Sequence, residues 1–319
     1  MSGNFNSKNY AGRVPNSNPQ PMPYFVGQNR NMLINGNFDI WQRGTTTSSN
    51  DVYLADRWKG KTTTGSITMT QQSDAPTGSI YSLDISSNSS GNNDTFYQRI
   101  ESVNAVRAAV QQVTIRFYAK SISGVSTTIK AKLSRPTTTT DDFSAVTLCP
   151  GCDLTVTTGL TNAWVLYTLT FPALPTEVNK GLQVEIYRTN SSAAAQTRIS
   201  QVQLEIGTYS TPFEYVDITT EMRKCKRYFE VWGNSANFPA VKGYGSSATA
   251  LEWAIPFSVN KRISPTVNKQ GTWAVTNASQ PVFTANDNGA KLSLTASGTG
   301  YLNTAPVDTT TYVTFDAEL

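Results

Sequence analysis

The chain has 319 residues with 26 basic and 22 acidic side chains, a net charge of +4, and no histidine. A charge so small and so mixed does not mark a nucleic-acid or membrane-surface protein, and the missing histidine excludes imidazole acid–base chemistry, serine triads and histidine-based zinc sites. Charged residues are only 15% of the chain while Thr, Ser, Asn and Gly abound, which suits β-structure with hydroxyl-covered outer faces.

Residues 1–30 show no apolar periodicity, and their only charges are Lys8, Arg13 and Arg30. The start lacks the basic-then-apolar pattern of a secretion signal. Such a segment cannot bury a core of its own. It is expected to be an extended N-terminal arm that gains order when laid along a partner, with Lys8, Tyr10, Arg13, Tyr24 and Phe25 as its anchors.

Residues 31–215 are a succession of short alternating runs. Val113, Ile115, Phe117 and Ala119 face one way; Ile129, Ala131 and Leu133, then Val165, Tyr167, Leu169 and Phe171, then Leu182, Val184 and Ile186 repeat the pattern. Turn-rich stretches such as APTG (75–78) and SRPTTTTDD (134–142) separate them. Many short strands with regular turns predict a β-sandwich. No apolar run approaches the roughly 20 residues of a membrane span.

The stretch 198–232 divides the chain. Val202, Leu204 and Ile206 alternate as a strand, and after the turn-rich TYSTPFEY the period lengthens. Met222, Cys225, Phe229 and Trp232 fall at helical spacing, predicting a linking helix over 216–233 with one apolar stripe. Asp217, Thr219 or Thr220 can cap it, Glu221 suits its first turn, and Gly233 stops it. The stripe is expected either to cover the sandwich or to meet its copies at a three-fold axis.

Residues 234–319 read as a smaller C-terminal β domain, a tip where self-association would bury the remaining apolar surface. Leu251, Trp253, Ile255 and Phe257 alternate, with Pro256 demoting that run to an edge or bulged strand. NDNGA (286–290) predicts a hairpin, with Asn288 and Gly289 suited to positive φ.

The three cysteines are Cys149, Cys152 and Cys225. The first two, spaced as CPGC, match half a zinc site or a redox pair. With no second such pair, no histidine and no βαβ context, they read as a turn between strands. Cys225 reads as a small buried hydrophobe.

QLEIGTYSTPFEY followed by a helix carrying CKRYF resembles a junction found in bacteriophage tail-fibre and related virion proteins. NMLINGNFDIWQRG (31–44), ADRW (55–58) and FYQRIES (96–102) fit the same family in the same order, over roughly residues 31–232. The resemblance implies a jelly-roll sandwich like that of carbohydrate-binding modules and membership of a virion. Modules of this kind often hold a structural calcium through an acidic residue in the last strand. Here that run reads SQVQLE, with Gln201 and Gln203 at the candidate positions, so no metal and no cofactor is expected.

The candidate catalytic carboxylates are Asp141 with Asp142 and Asp51 with Asp56. The first two follow four threonines in a turn, where neighbours point apart, and Asp56 has Arg57 beside it, so neither pair reads as an acid–base dyad. The chain is expected not to be an enzyme. Glycan binding needs exposed rings beside amides and carboxylates. Tyr53, Tyr97, Tyr244, Trp273 and Tyr301 are the candidates, whereas Trp41, Trp58 and Trp164 read as core.

The sequence therefore points to a tail-fibre protein, docked on other virion proteins through its arm, homotrimeric, and meeting a host-surface glycan. A capsid decoration or head fibre is the alternative reading, and a free glycan-binding module or depolymerase a third.

Overall fold

The computed structural model describes residues 29–87, 93–122, 128–158, 160–189, 195–233 and 240–319. The expected anchors Lys8, Tyr10, Arg13, Tyr24 and Phe25 lie outside the described residues.

Twelve strands build a sandwich. They are β1 (Thr46–Thr47), β2 (Val52–Tyr53), β3 (Lys59–Thr62), β4 (Ile67–Gln72), β5 (Ser82–Ser87) and β6 (Asn93–Ile100). After a short helix α1 (Ser102–Ala105) come β7 (Val113–Ser121), β8 (Thr128–Pro136), β9 (Val146–Thr158), β10 (Val165–Phe171), β11 (Leu182–Thr189) and β12 (Gln196–Ile206). One sheet runs β1-β4-β5-β12-β7-β10 and the other β2-β3-β6-β11-β8-β9. All pairs are antiparallel, and the chain passes repeatedly between the sheets, which is a jelly-roll β-sandwich. The inward faces read from the alternation, Val113–Ala119, Ile129–Leu133 and Leu182–Ile186, meet Phe96, Trp58 and Phe38 in one buried cluster.

The family-like pieces are bonded to one another. Met32 N–H donates to the Leu204 carbonyl at 2.8 Å, and Val202 N–H donates to that of Gly36 at 2.8 Å. The side-chain oxygen of Asn31 accepts from Leu204 N–H, and its amide donates to the Val202 carbonyl. Strand β12 bulges to allow this. Its pairing with β7 shifts register between Ser200 and Gln203, with Gln201 at φ +52°. Asn35 is a buried hub: its amide donates to the carbonyls of Ile40 and Asp56, and its own carbonyl accepts from the Trp58 indole.

The linking helix is shorter than its sequence period predicts. It spans Ile218–Lys226 (α2), with Asp217 as N-cap accepting from Thr219 and Thr220 N–H at 2.9 and 3.3 Å. Met222 and Cys225 are helical; Phe229 and Trp232 are not. They belong to β13 (Phe229–Trp232), which pairs with β21 (Tyr312–Asp316). Gly233 follows that strand at φ +100° rather than ending the helix. Replacing Asp217 by Ala should cost about 1 kcal/mol, read as a shift of the urea midpoint at constant slope; an unchanged midpoint would show that the cap is dispensable.

Beyond it lie β14 (Val241–Gly245), β15 (Ala250–Pro256), β16 (Thr266–Gln270), β17 (Ala274–Thr276), β18 (Val282–Ala285), β19 (Gly289–Thr295) and β20 (Gly300–Ala305). They form three-stranded sheets ordered β13-β21-β16, β14-β20-β17 and β15-β19-β18. A second core holds Trp273, Phe283, Leu292, Leu294, Val313 and Phe315. Pro256 ends an edge strand, as the sequence predicts. The β18–β19 hairpin forms without positive φ at Asn288 or Gly289. Asn286 builds the turn instead, its side-chain oxygen accepting from both of their N–H groups.

Cys149 and Cys152 are free, buried thiols within β9, so CPGC is no turn between strands. Gly151 at φ +71° lets the strand bulge against β8. Burial pushes the Cys149 thiol up to about 12, with Cys152 adding to it. Among the described residues no group of three metal-capable side chains is found, and no helix is long and apolar enough to cross a membrane.

Candidate functional site

The candidate aromatics divide sharply. Trp273 is 2% exposed; its ring stacks on Trp232 at 5.9 Å and packs against Phe283. It is a core residue, which removes it as a glycan platform. Tyr97 stands on the outer face of β6 and is still only 2% exposed. Its hydroxyl donates to Asp51 at 2.8 Å, and the Lys61 and Arg99 cations lie 5.1 and 5.3 Å from its ring centroid. Burial and the Asp51 carboxylate raise its pKa. Tyr53 is held by the other end of the chain, its hydroxyl donating to the Leu319 carbonyl and its ring lying under Arg43 and Lys59. Trp58 is core; Trp41 and Trp164 are half-buried, their indoles donating to the Phe38 carbonyl and to Asp74.

The candidate carboxylates are occupied too. Asp56 accepts from Gln42 N–H and side-chain amide, and burial raises its pKa against the nearby Arg43. Asp51 is bound to Tyr97 and Lys59. Asp141 accepts from the Ser102 backbone and hydroxyl at the start of α1, while Asp142 accepts from Ser144 N–H. Each of these four carboxylates has a structural duty.

Tyr244 and Tyr301 are different: they are 63% and 78% exposed. They are direct partners across β14 and β20, with ring centroids 5.6 Å apart and planes at 86°. Edge-to-face packing fixes both rings. The sheet register decides what else shares their face. Lys242 is opposite Asn303, and Asn303 is opposite Thr276 of β17. All three lie two residues along from a tyrosine position or directly across from one that does, so they stand on the same side of the pleat. Gly243 and Leu302 point the other way; a Cβ on Gly243 would meet Trp253 at 3.0 Å, so that side is filled. Asn303 is half-buried, and its side-chain oxygen is itself buried and unpaired. Asn277 donates its amide to the Tyr301 carbonyl at 3.1 Å, bracing the strand from below.

This face combines two open rings, a hydroxyl and a cation around a half-buried amide. Tyr244 and Tyr301 were among the sequence candidates; Lys242, Asn303 and Thr276 were not. Lys242 alternates with Tyr244, which was a usable signal, but Asn303 and Thr276 join only through pairing across some 60 and 30 residues.

The class that fold and site define is a jelly-roll β-sandwich followed by a β region carrying an exposed aromatic face. No protein-family model and no curated protein matches the sequence. Among solved structures, a domain of tailspike protein 4 of bacteriophage CBA120 is 17% identical, covering 56% of this chain and 22% of that one, with a TM-score of 0.39. The C-terminal family 22 carbohydrate binding module of Clostridium thermocellum Xyn10B is 14% identical over 53% of this chain and 97% of that module, at 0.37. TmCBM61, solved with β-1,4-galactotriose, is 14% identical over 56% and 99%, at 0.35. At these identities and scores they carry neither ligand nor activity over to this chain.

Proposed function

We propose that this protein is a bacteriophage virion adhesin of the tail-fibre type whose C-terminal β region binds a host-surface glycan without reacting with it. The observation that carries glycan recognition is the open Tyr244–Tyr301 pair with Asn303 and Thr276 on one sheet face. A sugar ring offers an apolar C–H face to an aromatic plane and hydroxyls to amides, which is what such a face can satisfy. The virion part rests on the sequence resemblance of residues 31–44, 96–102 and 198–232. Residues 1–30 are the proposed docking arm, and a homotrimer is the proposed assembly. Several copies multiply a weak single-site contact into firm attachment, so no deep pocket is needed.

The test is a glycan array followed by calorimetry on the full chain and on a Tyr244→Ala/Tyr301→Ala variant. Because both rings are exposed, the variant should stay folded, its melting temperature falling only by the small worth of the lost ring–ring contact. It should lose about ten-fold or more in affinity, the worth of roughly 1.4 kcal/mol of stacking. Undiminished binding by the double variant would remove the face from the proposal. Gold-labelled antibody to the C-terminal region on intact particles tests the location: label on the head would overturn the tail assignment.

A further inference from the structure

We infer that the tyrosine face selects anionic saccharides, with Lys242 as the group that meets the sugar's carboxylate or phosphate; the inference rests on the glycan reading of that face.

Several lysines elsewhere on the sheet faces are spoken for. Lys59 pairs with Asp51, Lys130 with Asp153, Lys132 with Glu185 and Lys291 with Glu252, at 2.7 to 3.2 Å. Several of them also lie over tyrosines. Lys130 and Lys132 stand 5.5 and 5.2 Å from the Tyr187 centroid, and Lys61 covers Tyr97. The sandwich face therefore closes its aromatic rings under its own cations. The tip face does the opposite. Lys242 is exposed, makes no ion pair among the described residues and lies over neither Tyr244 nor Tyr301. The three strands of the sheet read VKGYG, AVT and GYLNTA, with no acidic residue to neutralise it.

The geometry suits one sugar residue. Partners directly opposite in an antiparallel pair have Cβ atoms about 5 Å apart, and same-face neighbours along a strand about 7 Å. Lys242 is thus one step from Tyr244, one from Asn303 and diagonal to Tyr301. A pyranose stacked on Tyr301 would place a ring substituent within reach of an ammonium on a four-carbon stem. Its hydroxyls would then lie beside Thr276, which is exposed on the same face. A neutral glycan would offer Lys242 only hydroxyl oxygens. An anionic one turns it into a charge-assisted hydrogen bond, about twice as strong as a neutral one.

The experiment uses the full chain and a panel of acidic saccharides, uronate-bearing and phosphorylated, each beside its neutral methyl-esterified or dephosphorylated form. The acidic members should bind roughly three- to ten-fold more tightly, the range of one exposed charge-assisted contact. Lys242→Ala should erase that preference, and Lys242→Glu should reverse it. Raising the salt should shrink the preference, because an exposed pair is screened. Uronates preferred over phosphates, or the reverse, identifies the anion. Equal affinity for acidic and neutral forms, or a Lys242→Ala variant that loses both alike, overturns this inference and leaves the glycan reading standing. Failure of every saccharide to bind sinks both.

Discussion

Replacing Glu318 by Ala should cost about 3–5 kcal/mol of stability, the usual consequence of stripping one partner from a buried ion pair. Glu318 lies where the two cores meet. One carboxylate oxygen pairs with Arg57 and the other accepts from Arg43 at 3.2 Å. The side chains of Glu318 and Arg57 are 5% and 1% exposed. Arg57 also donates to the Arg99 carbonyl and lies 3.5 Å over the Tyr228 ring, while Arg43 lies 3.5 Å over Phe229. Arg262 donates to the Ala317 and Glu318 carbonyls, and Arg99 to that of Leu319. Three sandwich arginines thus hold residues 316–319, and Arg262 braces the same segment from within the C-terminal β region. Arg43 would keep Asp316 at 3.6 Å, so the loss falls on Arg57.

Desolvation makes such a pair costly to break and much less costly to replace. Pairing Glu318→Leu with Arg57→Met should therefore recover most of what Glu318→Ala loses, since neither buried charge remains. Urea or thermal unfolding reads both variants. A Glu318→Ala protein as stable as the parent would mean that the guanidinium groups find water there, and the joint would not depend on this pair. A charge-swapped joint elsewhere supports the same logic. Arg227 donates to both oxygens of Glu101, and although burial opposes it, hydrogen bonds from Arg227 and Tyr228 hold that carboxyl below its ordinary pKa.

The sequence made the strands legible because burial on one face leaves a two-residue period. The alternation in β7, β8 and β11 names the inward residues correctly. It failed where a distant segment overrules local spacing. Phe229 and Trp232 continue the helical register of Met222 and Cys225, yet β21 offers backbone partners from more than 80 residues away, and Ala317 N–H donates to the Tyr228 carbonyl. Helix pattern lost to sheet pairing there. Alternation marks Tyr97 as a candidate because its outward position is real; the cations that cover it come from β3 and from its own strand, which spacing cannot show. The tip face was half legible. Two open tyrosines could be listed from the sequence, but the amide and hydroxyl beside them are brought there by register alone.

Gly36→Ala should be the most damaging single methyl in the sandwich, costing roughly 3 kcal/mol or more, beyond ordinary overpacking because backbone must move. A Cβ on Gly36 would stand 2.1 Å from the Val202 carbonyl oxygen and 3.1 Å from its carbon. Neither atom belongs to a side chain that can swing away. Val202 N–H donates to the Gly36 carbonyl, and its own carbonyl accepts from the Asn31 amide, so the added methyl pushes the 31–36 segment off the β12 bulge and strains each of these bonds. Asn35, next in the chain, carries the hub that holds Trp58 and Asp56, and Glu221 of α2 accepts from its N–H, so the disturbance spreads to the helix. Gly298 is the control. A Cβ there meets nothing within 4 Å and its φ is ordinary, so Gly298→Ala should be neutral or gain a few tenths of a kcal/mol through the unfolded chain. Thermal unfolding of the two variants separates a requirement for space from a general sensitivity to losing glycine. If Gly36→Ala melted with the parent, the close seating of NMLING on the last strand would be wrong, and with it the physical reason these two family-like pieces occur together.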